Sequence, residues 1–319
     1  MTTTTRRAVL AATAAFGVLA AYPAWADFPE RAITVITPVG AGGGTDTHAR
    51  ALATALSEPL GVPLNVVNRP GAGGYVGAQE VVNSRADGYT LMVQSYGTFM
   101  MRAISKQQPV HPLEDFRILG VVGELYTGLV IRRDDERFND LESFKAWAAE
   151  NPNFTFGFSG NGSWHNAAAK AANDGMGIAG RPVVFKGGGA TRAALLGGQT
   201  DIAWMGVQQL AGFEAQLTML AVNSEERYPL ATDIPTLNDL GIPYTLVTSP
   251  MVIAAPAGLP DDVASRLEEA VKAAATSESY KQSLASKLAY PRYWPPGEGR
   301  DYLQSLWDSW GPVAASIQK

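Results

Sequence analysis

The chain contains no cysteine and only three histidines in 319 residues. The first absence removes disulfide staples, thiolate catalysis and any Cys-based zinc site. The second, with no H-E-x-x-H pair, leaves little to hold a catalytic zinc, and no metal or cofactor is expected. Long apolar runs are equally scarce. Ala8 to Ala21 is apolar but shorter than the roughly 20 residues a membrane-spanning helix needs, and nothing later in the chain reaches that length. Basic charge is not in excess either: 25 Lys and Arg stand against 30 Asp and Glu, a net charge of −5. An acidic surface argues against nucleic acid and anionic lipid as partners. It does not exclude a small anion, because local fields outweigh net charge at short range.

Residues 1–26 read as an export leader. Arg6-Arg7 supplies a basic start, the apolar run follows, and Ala24-Trp25-Ala26 fits a small-x-small cleavage site before Asp27. The paired arginines allow a twin-arginine route, with the Sec route equally open. The leader carries two arginines and no acid, so its removal takes the net charge from −5 to −7. The remaining chain of about 290 residues is long enough to bury a large core without disulfides.

The most informative stretch is Ile33-Thr34-Val35-Ile36-Thr37 running into Gly40-Ala41-Gly42-Gly43-Gly44-Thr45-Asp46. A β-branched run leads into a glycine loop, after which Ala49, Leu52, Ala53 and Leu56 fall on one helical face. Thr45 or Asp46 is the expected N-cap. A helix start of this kind leaves unpaired N–H groups and a partial positive charge, which together favour an anion. The loop lacks the Gly-Lys-Ser/Thr of a phosphate-cradling P-loop. Its Gly40-x-Gly42-x-x-Thr45 spacing also fails the dinucleotide fingerprint at the last position. A plain strand–helix turn without ligand is the bland alternative.

The same logic recurs twice. Phe154 to Phe158 predicts a strand feeding Ser159-Gly160-Asn161-Gly162-Ser163-Trp164-His165 and a helix over 166–173. Val183 to Phe185 leads through Lys186 and Gly187-Gly188-Gly189 to another helix. Further strands are expected at Leu64–Val67 and Tyr89–Val93, with Ser95-Tyr96-Gly97-Thr98 at the carboxyl end of the latter, and a helix over Leu141–Glu150. Strand-then-helix alternation is the pattern of an α/β fold with mainly parallel strands, whose ligands bind beyond the strands' carboxyl ends.

Taken together, Pro38-x-Gly-x-Gly-Gly-Gly-Thr45-Asp46, Asn68-Arg69-Pro70-Gly71-Ala72-Gly73-Gly74, Asp87-Gly88-Tyr89-Thr90-Leu91, Lys186-Gly187-Gly188, Leu196-Gly197-Gly198-Gln199-x-Asp201 and Ala255-Pro256-Ala257-Gly258 resemble the solute-binding proteins of tripartite tricarboxylate transporters, the Bug family. The match runs in order from about Phe28 to the C-terminus. It implies a monomeric, periplasmic, two-lobed α/β binding protein of type II-like form, with two mixed sheets flanked by helices and a ligand cleft between them. Residues 27–126 with 248–319 would form one lobe and 127–247 the other, with crossings near Tyr126 and Val247. The implied partners are a small carboxylate and membrane permease subunits. Carried over, the carboxylate contacts are Gly40, Ala41, Gly42, Gly43, Gly44, Thr45 and Asp46 in one loop, with Ser159, Gly160, Asn161, Gly162 and Ser163 in the other.

Departures from the family pattern shape the expected ligand. Asn166 stands where a His is common, with His165 just before it, and Met205 replaces a common Asp beside Trp204. Loss of that Asp removes a partner for a ligand ammonium, which favours a ligand without an amino group. Trp164 and His165, with Tyr75, Tyr96 and Phe99, are expected to form a flat wall suited to an aromatic carboxylate of benzoate or terephthalate type. Ser95, Lys186, Gly187 and Met205 complete the candidate site. Arg192 is expected to stay on its helix surface.

Two other functions fit parts of the chain. Ser159, Ser163, His165 and Asp46 are residue types of a hydrolase triad, but the G-x-S-x-G elbow is absent, and catalysis is not expected. A sensor that reports carboxylate to a membrane kinase would leave the same sequence marks as a transport receptor.

Overall fold

The computed structural model describes residues 28–317, so the expected leader lies outside the described residues. The first lobe begins with β1 (Ile33–Thr37), α1 (Gly44–Leu60), β2 (Leu64–Asn68), α2 (Tyr75–Val82), β3 (Thr90–Ser95), α3 (Tyr96–Ile104) and β4 (Phe116–Leu125). In β1 the β-branched ITVIT run is almost wholly buried, as expected of a strand covered on both faces. α1 buries Ala49, Leu52, Ala53, Leu56 and Leu60, and it ends at Gly61, whose φ of +71° lets its N–H close on the carbonyls of Ser57 and Glu58.

The second sheet is built from β5 (Thr127–Arg132), α4 (Leu141–Glu150), β6 (Thr155–Ser159), α5 (Trp164–Met176), β7 (Arg181–Phe185), α6 (Gly188–Leu196), β8 (Ile202–Gly206) and β9 (Leu217–Val222). The chain then returns through β10 (Ser249–Pro256), α7 (Asp261–Thr276), α8 (Glu278–Ala285) and α9 (Pro296–Ser316).

The two five-stranded sheets follow one plan, with orders β2-β1-β3-β10-β4 and β7-β6-β8-β5-β9. In each, three strands run parallel. A fourth, β10 or β5, inserts antiparallel between the parallel set and the edge strand. That fourth strand arrives from the other sheet: β4 ends at Leu125, Tyr126 intervenes, and β5 opens at Thr127. Each sheet is thus mixed because of the crossings, and the α/β two-lobed architecture inferred from sequence is the one observed. One apolar core covers the first sheet, while alternate residues of β5 and β8 feed separate cores on the two faces of the second.

The crossing segments meet at one carboxylate. Glu124, fully buried near the end of β4, accepts hydrogen bonds from the hydroxyls of Tyr126, Tyr302 and Thr248, the last at 2.9 Å. Arg292 Nη1 stands 3.6 Å away, and its guanidinium lies over Trp294. Burial pushes the Glu124 carboxyl above its ordinary value, against the opposing pull of the three hydroxyls and Arg292. Tyr126 and Thr248 belong to the outgoing and returning stretches of chain, so this group ties both to α9.

Replacing Glu124 by Ala removes the buried acceptor shared by the Tyr126, Tyr302 and Thr248 hydroxyls, of which Thr248 keeps the Leu125 carbonyl at 2.9 Å. The expected loss of unfolding free energy in urea titration is about 3–5 kcal/mol, the range for breaking a buried charged network, and Glu124→Gln is expected to lose less.

Candidate functional site

The loop between β1 and α1 is shaped by Asp46. Its Oδ2 accepts the Gly42 N–H at 2.9 Å and Arg50 Nε at 2.9 Å, while Oδ1 accepts Asn68 Nδ2 at 2.9 Å. Asn68 Nδ2 also reaches the Val39 carbonyl, so one carboxylate and one amide brace the whole turn. Gly42 sits at φ +83°, which a side chain there would oppose. Burial alone raises the Asp46 pKa, but Arg50, the Gly42 N–H and Asn68 together hold it below the usual carboxylate value. The N-cap is Gly43, with no side-chain cap, rather than Thr45 or Asp46. Asp46 lies inside the first turn and reaches backward. The N–H groups of Gly43, Gly44, Thr45 and Asp46 are therefore the four without an i−4 acceptor in the helix.

The second loop closes differently. Ser163 is the N-cap of α5; its Oγ accepts the Asn166 N–H at 3.2 Å and donates to the Ser159 carbonyl at 2.6 Å. This fixes α5 on the end of β6 and leaves the first-turn amides of Trp164 and His165 open. At the third turn Gly187 caps α6, where a Cβ on Gly188 would stand 1.8 Å from Gln209 Nε2. The Gln209 amide therefore lies against the start of α6.

All three helix starts open on one cavity of about 390 Å³ between the lobes. That volume is near the small end of the roughly 300–1,000 Å³ usual for small-molecule sites. Gly42, Gly43, Gly44, Thr45 and Ser95 line it from the first lobe, and Ser159, Trp164 and His165 from the second. Gly188, Gly189, Arg192, Gln208 and Gln209 line it as well, with Lys287 on the first-lobe rim. No acidic side chain is among the lining residues, whereas two cations are. Arg192, Gln208 and Gln209 were not legible in the sequence as wall residues. Arg192 turns inward because its guanidinium stacks on Phe213 at 3.9 Å and donates to the Gln209 carbonyl at 3.0 Å. Gln208 lies across the cleft from α1, its Nε2 3.2 Å from where a Cβ of Gly44 would be.

Several expected site residues stand elsewhere. Tyr96 is fully buried in the first core, donating to the Pro112 carbonyl and packing on Phe99, which is also fully buried. Met205 is inward-facing on β8 and packs with Val130 and Leu195, a consequence of strand alternation. Lys186 and Gly187 are exposed at the end of β7 and do not line the cavity. Gly40 and Ala41 are exposed before the turn. Gly160, Asn161 and Gly162 form the outer arc of the second loop, where the Asn161 carbonyl accepts Arg102 Nη2 from the first lobe at 3.2 Å. Ser163 and Asp46 are committed to bracing their own turns.

Trp164 bridges the lobes. Although it opens α5, its ring belongs to the first lobe's core, and a Cβ on Gly97 would sit 2.7 Å from its Cγ. Gly97 in turn donates its N–H to Ser249 Oγ at 2.9 Å, and Ser249 donates to Ser95 Oγ.

Ser159 Oγ lies 3.2 Å from His165 Nδ1, the one pairing in the site with the look of a nucleophile and base. No third group orients the imidazole among the described residues: Asp46 is occupied by Gly42, Arg50 and Asn68, and His165 Nε2 has no partner. Burial lowers the His165 pKa from 6.5 to about 3, and the same cause lowers His48, packed against Tyr280 of α8, to about 3. Both rings are neutral at pH 7.

Two outcomes follow for pH. Because folding depresses both histidines, the unfolded chain takes up protons below pH 6.5 that the folded chain refuses. Stability should fall as pH drops through that window, by up to about 1.4 kcal/mol per pH unit per histidine. Thermal melts from pH 7 to 4 check this, and His165→Gln should flatten the slope. Asp46 acts in the same direction at lower pH, because its folded value too lies below its ordinary one. Its contribution is present above the ordinary value of 3.8 and lost as pH falls through its lower folded value. Asp46→Asn should therefore melt below wild type at pH 7, with the gap closing only in strong acid.

Residues 48–313 match the family described as the tripartite tricarboxylate transporter family receptor, TctC. A Cupriavidus necator protein described as a UPF0065 protein in the gbd 5′ region is 32% identical over 298 residues, covering 90% of this chain and 88% of the relative. Protein BugT of Bordetella pertussis is 29% identical over 299 residues, 92% of this chain and 91% of its own. Among solved structures, a TctC solute-binding protein from Polaromonas is 27% identical with a TM-score of 0.75, covering 91% of this chain and 99% of that one. MatC from Rhodopseudomonas palustris, solved with bound malate, is 26% identical with a TM-score of 0.77, covering 90% and 100%. With its two mixed sheets and its interlobe cavity, the chain belongs to the tripartite tricarboxylate transporter receptor family.

Proposed function

We propose that this protein captures a small organic carboxylate in the periplasm and delivers it to membrane permease subunits, without chemical change. The observation that carries the reading is the wall of the interlobe cavity: three helix starts, two cations and no acid among its lining residues. Backbone N–H groups aimed at a carboxylate form charge-assisted bonds about twice as strong as neutral ones. Because donors come from both lobes, a bound acid links them, and the chain segments at Tyr126 and Val247–Thr248 serve as the hinge between lobes 27–126 with 248–319 and 127–247. The malate bound to MatC supports the same ligand class.

The absence of acid on the wall also supports a ligand without an ammonium group. The preference for an aromatic acid rests on fewer residues than the sequence suggested. Trp164 and His165 remain at the cavity, whereas Tyr96 and Phe99 lie in the core. A thermal-shift panel of aliphatic and aromatic mono-, di- and tricarboxylates, with amino acids as a contrast, tests the proposal. A ligand at one hundred times its Kd should stabilise the protein by about 2.7 kcal/mol. A rise in Tm with carboxylates and none with amino acids is the expected result; no shift with any acid would remove the carboxylate reading.

A further inference from the structure

The outer arc of the second loop holds the one Asn-Gly pair in the sequence, Asn161-Gly162. Such a pair carries its own chemistry, because a glycine nitrogen has no Cβ beside it to hinder attack on the preceding side-chain amide. Folding usually blocks the attack by burying the amide or by holding the nitrogen in a hydrogen bond. Asn83-Ser84 and Asn223-Ser224 show both restraints. The Ser84 N–H donates to the Val81 carbonyl at 3.0 Å, and Asn223 is fully buried. Asn161-Gly162 has neither. Asn161 is exposed, its side-chain amide has no hydrogen-bond partner among the described residues, and the Gly162 N–H has no acceptor among them. The turn itself favours glycine here, with φ at +64°. The space around it is open: the nearest group to a Cβ placed on Gly162 would be the Gln107 amide at 3.8 Å.

The peptide unit that joins the pair also meets a cation. Arg102 of α3 reaches across from the first lobe and donates Nη2 to the Asn161 carbonyl at 3.2 Å. Arg102 has no carboxylate partner among the described residues, and its Nε is buried beside Gly73 without an acceptor. A guanidinium on an amide oxygen draws electron density from the nitrogen of the same amide. It thereby stabilises the anion left when that N–H loses its proton.

We infer that Asn161-Gly162 is a self-modifying site, converted to isoaspartate and aspartate, with Arg102 as the promoting group. In the first step the Gly162 N–H gives its proton to a solvent base, and the freed electron pair bonds to Asn161 Cγ. The bond from Cγ to Nδ2 breaks, and Nδ2 takes a proton from water and leaves as ammonia. A five-membered succinimide ring remains. Water then opens the ring at either carbonyl. Attack at the former main-chain carbonyl breaks its bond to the Gly162 nitrogen and leaves an α-carboxylate, with the chain now running through Cβ and Cγ. Attack at Cγ gives ordinary aspartate. Water is the only co-reactant. Each product carries one more negative charge, and in isoaspartate that charge sits on the carbonyl group that Arg102 already contacts.

The test ages the purified full chain at mildly alkaline pH, folded in buffer and unfolded in urea. Peptide mapping, isoaspartyl methyltransferase labelling and anion-exchange chromatography follow residues 161–162. In folded wild type this site should react faster than every other asparagine, and at least threefold faster than the same site unfolded. Arg102→Gln should slow the folded rate at least threefold and leave the unfolded rate unchanged. Arg102→Lys, which keeps the charge but not the planar fork, should fall between the two. Asn161→Gln should remove the acidic variant. Far-UV circular dichroism and Tm establish that the variants are folded; Arg102→Lys carries the comparison should Arg102→Gln not fold. An unchanged rate in the Arg102 variants, or a folded site no faster than the unfolded one, overturns the promoting role. Absence of product at 161–162 in the aged folded chain overturns the site itself.

Discussion

Backbone N–H groups at the start of a helix have no acceptor within the helix, and this molecule gathers three such starts at one gap. Everything around the gap serves their exposure. The glycine loops remove side chains that would cover them. Asp46 and Ser163 hold the loops from behind, so that a carboxylate and a hydroxyl brace the backbone without occupying the cavity. Acidic side chains are absent from the wall even though the chain as a whole is acidic. Net charge and local field point in opposite directions here, and over the few ångströms of the cleft the local field governs.

The two sheets make this convergence possible. Each contributes parallel strands whose carboxyl ends face the gap, and each is completed by an antiparallel strand that directly follows a crossing, β5 or β10. The first lobe is not a continuous piece of chain, so the stretches that join it to the second must be held in register. Glu124 does this from within the first lobe by accepting hydroxyls of Tyr126 and Thr248, one from each crossing. The same group reaches α9 through Tyr302, which places the C-terminal helix under the crossing.

Much of the architecture was legible because its signals are local. The β-branched run of β1, the apolar spacing of α1 and the serine at the start of α5 each specify their element without help from elsewhere. The family motifs then supplied the two-lobed arrangement. What the sequence left hidden depends on direction. A strand residue points to one face or the other according to register, so Met205 could be read as a wall residue although β8 turns it into the core. Tyr96 follows the strand end by one residue, and the start of α3 rotates it toward Pro112. Asp46 looked like a cap or a ligand contact. Its role as a brace depends on Asn68, which lies on a neighbouring strand. Arg192 and Gln209 meet only because α6 and the turn after β8 are neighbours in space.

Trp164 carries a further consequence. Its indole opens a helix of the second lobe yet is 3% exposed inside the core of the first. Any movement that parts the lobes must bring this large apolar surface into water, and any movement that joins them must remove it. Engagement of the lobes is therefore partly a solvophobic process, and it should carry the negative heat-capacity change that accompanies apolar burial. A ligand recognised by polar contacts would then bind with a temperature dependence set largely by a residue that need not touch it.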